Sequence, residues 1–193
     1  QLKQAVEKVL LLQNPEMNLI EMAIQAIADP EGENRDRLMA MVSDYPFITG
    51  PWIQRNDQND FTIKAWIESS TSVQLRYGFS PERLDKYLVE TCSRCTFTLN
   101  DLPDSVTVFY ELSAGKTISP RYSFSTNEPR SFSFNIWADS QSGWKDFATH
   151  ISNTLTYSDA FGIGIGDLVG NGSNEEEWIM FFNLLGASAA GRP

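Results

Sequence analysis

Apolar residues in the first 45 positions recur every three or four residues, which is the spacing of amphipathic helices. The stretch "NPEMNLIEMAIQAIADP" shows both ends of one such helix. Asn14 is a cap and Pro15 occupies the first helical position, while Asp29 and Pro30 terminate the pattern. We therefore predict an N-terminal helical segment over residues 1–45.

The period changes from helical to two in residues 46–128. In "DFTIKAWIES" the apolar residues Phe61, Ile63, Ala65 and Ile67 alternate with their neighbours, and "SVQLRYG" alternates in the same way. Further strand candidates are "CTFTLNDL", "VTVFYEL" and "RYSFST", which turn-rich stretches separate. Short strands at this spacing predict a small β-sandwich.

Residues 129–193 combine the two periods. The segments "SFSFNIWAD" and "AFGIGIGD" are typical of strands, whereas "GWKDFATHISNTL" and "SNEEEWIMFFNLLG" have helical spacing. Ser173 and Glu176 form a capping-box pattern at the start of the second helix. This order predicts a β-α-β-α unit with two parallel strands, and the whole chain is predicted to be a multi-domain α+β protein.

The composition excludes some classes of partner. The formal net charge is -10, and basic residues are spread thinly along the chain. A polyanion or an anionic membrane surface would be repelled by that charge, so we expect no nucleic-acid or membrane partner. No apolar run approaches the roughly 18 residues that a membrane span needs.

The start of the chain and its cysteines bear on the compartment. The sequence begins at Gln1 without a leader pattern. A signal peptide that has been removed would explain this start, and on that basis we expect a secreted or periplasmic protein. Cys92 and Cys95 are the two cysteines, in "CSRC". A zinc site would need a second ligand pair, so two plain thiols or a local disulfide are the readings that remain.

Both strands of the β-α-β-α unit end on an aspartate, Asp139 in one and Asp167 in the other. Ligands collect at the carboxyl ends of strands in open α/β sheets. An aspartate after a strand is often only a turn or cap residue, but two at equivalent positions favour a shared cation, because close carboxylates repel each other.

The stretches "ADSQ" and "GDLVGNG" resemble the first two motif blocks of the calcineurin-like metallophosphoesterase superfamily. The preceding strands resemble the fibronectin-type-III-like domain that precedes the catalytic domain in purple acid phosphatases and their bacterial relatives. The resemblance covers roughly residues 46–193. It implies a fibronectin-like sandwich over residues 46–128 and the N-terminal part of an α/β catalytic domain over residues 129–193.

The resemblance also implies a ligand set. Asp139 would bind the first metal ion, Asp167 would bridge both ions, and Gln141 stands where the family usually has a metal-binding histidine. The implied cofactors are two divalent or trivalent ions of the iron, zinc or manganese class. The family's tyrosine three residues after the bridging aspartate is Gly170 here, so an iron–tyrosinate centre is not implied.

The next family block, Gly-Asn-His, is not found after "AAGRP". We therefore expect this chain to carry the first part of the catalytic domain, with the remainder supplied by the same gene product or a second chain. The implied activity is hydrolysis of a phosphate ester by a hydroxide that two metal ions activate. The alternative is a non-catalytic binding or scaffolding module built around the sandwich.

Overall fold

The computed structural model describes residues 24–43, 46–57, 60–127, 131–154 and 159–193. Most of the predicted N-terminal helix pattern, residues 1–23, lies outside the described residues. Residues 24–28 are helical, and the chain leaves the helix at Asp29 and Pro30 as predicted. A second helix, α1, spans Glu33–Ser43 and buries Leu38.

Six strands between residues 47 and 125 form one antiparallel sheet. The longest strand is central, because its first half pairs with the first and third strands and its second half pairs with the third and fourth. Both short strands pair with the fourth. The strands are β1 (Phe47–Asp57), β2 (Asp60–Gly78), β3 (Lys86–Leu99), β4 (Thr107–Ala114), β5 (Thr117–Ile118) and β6 (Tyr122–Ser125).

Strand β2 joins two segments that the sequence pattern predicts as separate strands. The register between β2 and β3 shifts between Trp66 and Thr71, so several β2 residues oppose few residues of β3. Such a bulge absorbs the exposed "ESS" stretch at residues 68–70 while both halves of the strand keep their pairing. The apolar alternation therefore predicted a strand correctly in each half, whereas the predicted break between the two halves is wrong.

Strand β3 begins at Lys86, earlier than its sequence pattern indicates. Residues 86–91 pair with the second half of β2, yet most of their side chains face solvent. A strand with few buried residues lacks the apolar alternation that the prediction relied on. Within β3, Cys92 and Cys95 form a disulfide, which decides between the two open readings of the cysteines.

The sheet encloses one large apolar core. Its centre holds the aromatic side chains of Phe61, Phe97 and Tyr110, which are fully buried. Residues from β1 to β4 and from β6 contribute to the same cluster, so the antiparallel part of the chain is closed around its own interior. The predicted fibronectin-like strand arrangement and the domain boundaries at residues 45 and 128 stay predictions.

The remaining elements follow in the predicted β-α-β-α order. Strands β7 and β8 pair in parallel, with Phe134 opposite Phe161 and Trp137 opposite Gly164. The cap of the last helix is Asn174, whose side chain accepts from the Glu176 N–H, and not the predicted Ser173. The elements are β7 (Phe134–Trp137), a short 3-10 helix (Ser140–Ser142), α2 (Trp144–Thr154), β8 (Phe161–Gly164) and α3 (Glu175–Gly191).

The two faces of the β7–β8 pair differ in burial. One face is covered by α2 and α3, which form a second apolar cluster around Phe147 and Phe181 with Trp137 against it. The other face leaves Phe134, Ile136 and neighbouring apolar side chains exposed to solvent. Parallel strands are normally buried on both faces, so this unit is open on one side.

Helix α3 joins the parallel pair to the antiparallel sheet. The ring of Phe182 stacks on that of Trp52 in β1, with centroids 4.2 Å apart. The hydroxyl of Tyr110 donates to the carbonyl of Ala190 at 2.6 Å, and Arg94 forms an ion pair with Glu175. The chain is thus a mixed α/β structure with a mostly antiparallel sheet and few helices. Within the described residues, no helix is both long enough and apolar enough to span a membrane.

Candidate metal centre

Asp139 and Asp167 lie just beyond the carboxyl ends of β7 and β8. Both residues have left-handed backbone conformations, with φ of 55° and 50°, and Gly166 before Asp167 has φ of 136°. Aspartate tolerates this region better than most residues. Because β7 and β8 are parallel neighbours, the two aspartates follow the same edge of the sheet.

The loops after the two strands are hydrogen-bonded to each other. The Asp139 N–H donates to the Gly166 carbonyl at 3.3 Å, and the Gln141 N–H donates to the Asp167 carbonyl at 3.4 Å. The buried hydroxyl of Ser140 donates to the Leu168 carbonyl at 2.8 Å. The structure therefore brings the backbones of all three predicted site residues into two adjoining, cross-linked loops.

Three buried side-chain polar atoms lack a hydrogen-bond partner among the described residues, and they belong to Thr49, Trp137 and Gln141. Gln141 is the one of the three that the sequence predicts as a site residue. Its amide oxygen is buried and has no hydrogen-bond partner among the described residues. A buried acceptor that stays unpaired costs about 1–3 kcal/mol, so such groups call for a functional explanation. An amide oxygen is also a normal ligand for hard cations.

The two carboxylates have different surroundings from the amide. Asp139 and Asp167 are exposed, and neither side chain forms a hydrogen bond or an ion pair within the described part of the chain. Two unpaired carboxylates on adjoining loops present negative charge at this edge. A cation bound at this edge would offset that charge.

The described residues supply only part of a conventional metal site. Among them, no group of three or more His, Cys, Asp and Glu side chains could hold a metal ion. His150 lies exposed in the middle of α2. Asp139, Asp167 and Gln141 would supply two carboxylates and one amide oxygen, without nitrogen or sulfur, and their role as metal ligands stays a prediction.

Trp137 explains the alternating glycines of "FGIGIG". The indole lies across β8, so a Cβ at Gly162 would overlap the ring, and a Cβ at Gly164 would lie 3.1 Å from Nε1. Glycine at both positions lets the indole lie flat on the neighbouring strand. Trp137 is the last residue of β7 and comes two residues before Asp139, so this contact holds the end of β7 against β8 next to the candidate site.

The loop after Asp167 is held by a residue that the sequence pattern did not single out. One oxygen of Glu177 accepts from the N–H groups of Gly170, at 2.6 Å, and Asn171, at 3.1 Å. Its other oxygen accepts from the side-chain amide of Asn174 at 3.0 Å. Glu177 is the last of three successive glutamates, and the sequence pattern does not distinguish it from Glu175 and Glu176.

A large groove borders the candidate site, since Leu168 and Gly164 line it. It has a volume of about 1280 Å³ and runs between β1 and the β7–β8 pair, with Trp52, Trp137 and Phe182 in its walls. Asp139, Gln141 and Asp167 do not line it. We place the candidate site at the strand ends because the aspartates that the sequence predicts and the unpaired oxygen of Gln141 are there, and volume alone does not mark chemistry.

Comparisons with known proteins show a shared fold. No family model and no curated protein match this sequence. A solved structure entitled "Structure of PhoD" superposes with a TM-score of 0.59 over 78% of this chain, at 11% sequence identity. That overlap is about 150 of the 193 residues, so it must include part of residues 128–193 as well as the sheet.

The chain spans 38% of the length of that PhoD chain. At this identity the likeness concerns the fold and does not transfer residue roles. The comparison therefore shows that most of this chain resembles part of PhoD in fold, which is a distant relationship.

Proposed function

We propose that this chain carries the first part of a metal-dependent phosphoesterase site, with Asp139, Gln141 and Asp167 as metal ligands. The observation that carries the proposal is the buried, unpartnered oxygen of Gln141, on a loop that also holds Asp139 and is hydrogen-bonded through its backbone to the loop of Asp167. An isolated turn aspartate would need no such neighbour. A cation that binds all three groups would satisfy the amide oxygen and offset the carboxylate charges.

The donor types bear on the identity of the metal. Oxygen ligands suit magnesium, calcium and manganese, whereas imidazole and thiolate suit zinc and copper. The sequence resemblance implies iron, zinc or manganese, and within that set the two carboxylates and the amide favour manganese. We propose two ions, because the resemblance gives Asp167 a bridging role.

The residues of this chain have defined tasks in that scheme. Asp139 and Asp167 would bind the cations, and the cross-linked loops would hold the carboxylates in place before binding. Both aspartates are exposed, so water and a phosphate ester can reach them. When bound, two such ions supply a nucleophile at neutral pH and offset the charge on the phosphate oxygens.

The sequence resemblance to the metallophosphoesterase superfamily supports the proposed activity, and the likeness to PhoD supports a shared fold at low identity. The exposed apolar face of the β7–β8 pair supports a further layer over this unit. We propose that the remaining part of the catalytic domain, from the same gene product or a second chain, covers that face. A phosphate ester is the proposed substrate.

A disulfide between Cys92 and Cys95 supports an extracellular or periplasmic location, since oxidising compartments preserve such bonds. The second candidate function remains a non-catalytic binding or scaffolding module. It is favoured by the lack of a three-residue His, Cys, Asp and Glu cluster among the described residues. The two functions differ in whether the strand ends bind metal.

Replacement of Asp167 by asparagine tests the proposal. The change removes one charge and scarcely alters the side-chain volume, so the fold should persist. We expect bound manganese per chain and hydrolysis of p-nitrophenyl phosphate and bis-p-nitrophenyl phosphate to fall by at least the ~10–100-fold of changes around metal ligands.

The matched control is Asp146→Asn, because Asp146 is exposed in the first turn of α2 and has no ligand role. It should keep both metal and activity. If Asp167→Asn retained the metal content and activity of this control, the site assignment would be wrong.

A further inference from the structure

The loop from Asp167 to Asn174 is tied down at both of its ends. On the Asp167 side, the backbone carbonyls of Asp167 and Leu168 accept bonds from Gln141 and Ser140. On the far side, the Glu177 carboxylate accepts three bonds from residues 170–174. The loop is therefore fixed between the β7 end and the first turn of α3.

The Glu177 bonds are strong for their position. Hydrogen bonds from backbone N–H groups to a carboxylate are roughly twice as strong as neutral ones. Two successive N–H groups, those of Gly170 and Asn171, point at the same oxygen, which is the arrangement of a backbone anion nest. A Cβ at Gly170 would lie 3.2 Å from that oxygen, so glycine there allows the close approach.

This geometry acts on Asp167 through the backbone. Asp167 has a left-handed conformation that a free loop would populate only part of the time. The Ser140 bond to Leu168 and the Glu177 bond to Gly170 hold the residues directly after it. With both in place, the loop is restricted to the conformation in which Asp167 follows the strand end beside Gln141.

We propose that Glu177 is a positioning residue for the metal site: its carboxylate fills the nest of Gly170 and Asn171 and thereby fixes the backbone that presents Asp167. The inference rests on the proposed function, and it adds a residue that is not itself a ligand. Glu177 acts as a hydrogen-bond acceptor, because its oxygens already accept three bonds. Its negative charge strengthens these hydrogen bonds, and the carboxylate is not proposed to bind the metal itself.

Three variants of the intact protein separate these roles. Glu177→Ala removes the acceptor, and Glu177→Gln keeps one carbonyl oxygen for the two N–H groups while it removes the charge. Glu176→Ala is the matched control, because it removes the same charge one residue away. The Glu176 side chain makes no hydrogen bond or ion pair within the described residues.

The readout is manganese binding, measured by titration with the free-ion electron paramagnetic resonance signal. We expect Glu177→Ala to weaken binding by about 10-fold or more, as changes to groups that orient metal ligands do. Glu177→Gln should retain most of the affinity, and Glu176→Ala should match the unchanged protein. Hydrogen exchange at the amides of Gly170 and Asn171 should speed up in Glu177→Ala and not in Glu176→Ala.

Two results would overturn the inference. Glu177→Ala could bind manganese normally, or Glu177→Gln could lose as much affinity as Glu177→Ala while its Gly170 and Asn171 amides keep their protection from hydrogen exchange, which would assign the effect to charge. Asp167→Asn in the same titration separates this failure from failure of the proposed function. If Asp167→Asn weakens binding and Glu177→Ala does not, the positioning role alone is wrong, and if neither weakens binding, both proposals are wrong.

Discussion

The antiparallel sheet and the β7–β8 pair use apolar residues in different ways. In the sheet, Phe97 is 0% exposed and lies in a core to which five of the six strands contribute. In the parallel pair, Phe134 is 44% exposed although it stacks on Phe161 at 5.1 Å. The sheet buries its apolar side chains in its own core, while the parallel pair buries one face and leaves the other exposed to solvent.

This contrast separates stability from function in the molecule. The closed core makes the sheet a support, and α3 connects that support to the parallel pair through Trp52 and Phe182. The exposed aspartates Asp139 and Asp167 and the unpaired oxygen of Gln141 lie on the open unit, at the ends of its two strands. A functional role for the strand ends therefore fits a unit whose packing is incomplete in isolation.

The largest expected effect comes from truncation in each region. Phe97→Ala should lower the free energy of unfolding by about 3–5 kcal/mol, because it leaves a cavity in a closed core. Phe134→Ala should lower it by about 1 kcal/mol, since mainly the stacking with Phe161 is lost. Chemical denaturation of both variants measures the difference, and equal losses would show that the exposed face is buried in the protein.

A medium effect is expected for Gly162→Ala in the parallel pair. The new methyl group would overlap the Trp137 indole, and forced repacking of this kind costs about 1–3 kcal/mol. The control is Gly172→Ala, because a Cβ at Gly172 meets no atom within 4 Å. Thermal melting of the two variants tests this, and a melting temperature for Gly162→Ala equal to that of the control would argue against the indole's placement.

An effect of the same order concerns the joint between the two regions. Tyr110→Phe leaves the buried carbonyl of Ala190 without its donor, which should cost about 1–3 kcal/mol at neutral pH. Tyr87→Phe is the control, because Tyr87 is 66% exposed. Urea unfolding of both variants provides the measurement.

The same tyrosine predicts a dependence on pH. Burial raises the pKa of Tyr110 well above its ordinary value, and the nearby Tyr122 raises it further. The native state thus holds this proton more tightly than the unfolded state does. The stabilisation is fully present below about pH 10, and it is lost as the pH rises through the folded pKa. Tyr110→Phe should flatten this alkaline decline and Tyr87→Phe should not, so a decline unchanged in Tyr110→Phe would contradict the buried phenol.

The sequence predicted the fold where burial and period coincide. Phe61, Ile63 and Ala65 alternate because one face of β2 is buried, and the spacing of Phe147 and Ile151 is helical because α2 buries one face. Residues 86–91 were missed because hydrogen bonding to β2, and not burial, makes them a strand. Backbone pairing leaves no period in the sequence when the side chains face solvent.

The site was predictable only in part for a similar reason. The positions of Asp139 and Asp167 after two strands are visible in the sequence, because strand ends can be read from the apolar pattern. Glu177 could not be told from its two neighbouring glutamates, since its role depends on which side chain reaches the Gly170 nest. The unpaired oxygen of Gln141 depends on packing that only the folded chain defines.

The most direct measurement of the central claim is an anomalous difference map from crystals of the protein soaked in manganese. The proposed metal site predicts a peak within about 2.0–2.6 Å of oxygen atoms from Asp139, Gln141 and Asp167, the range of divalent cation–oxygen contacts. The Gln141 amide oxygen should be among these ligands. A map without a peak at this edge of the sheet, under conditions that saturate the protein with manganese, would contradict the assignment of a metal centre to these residues.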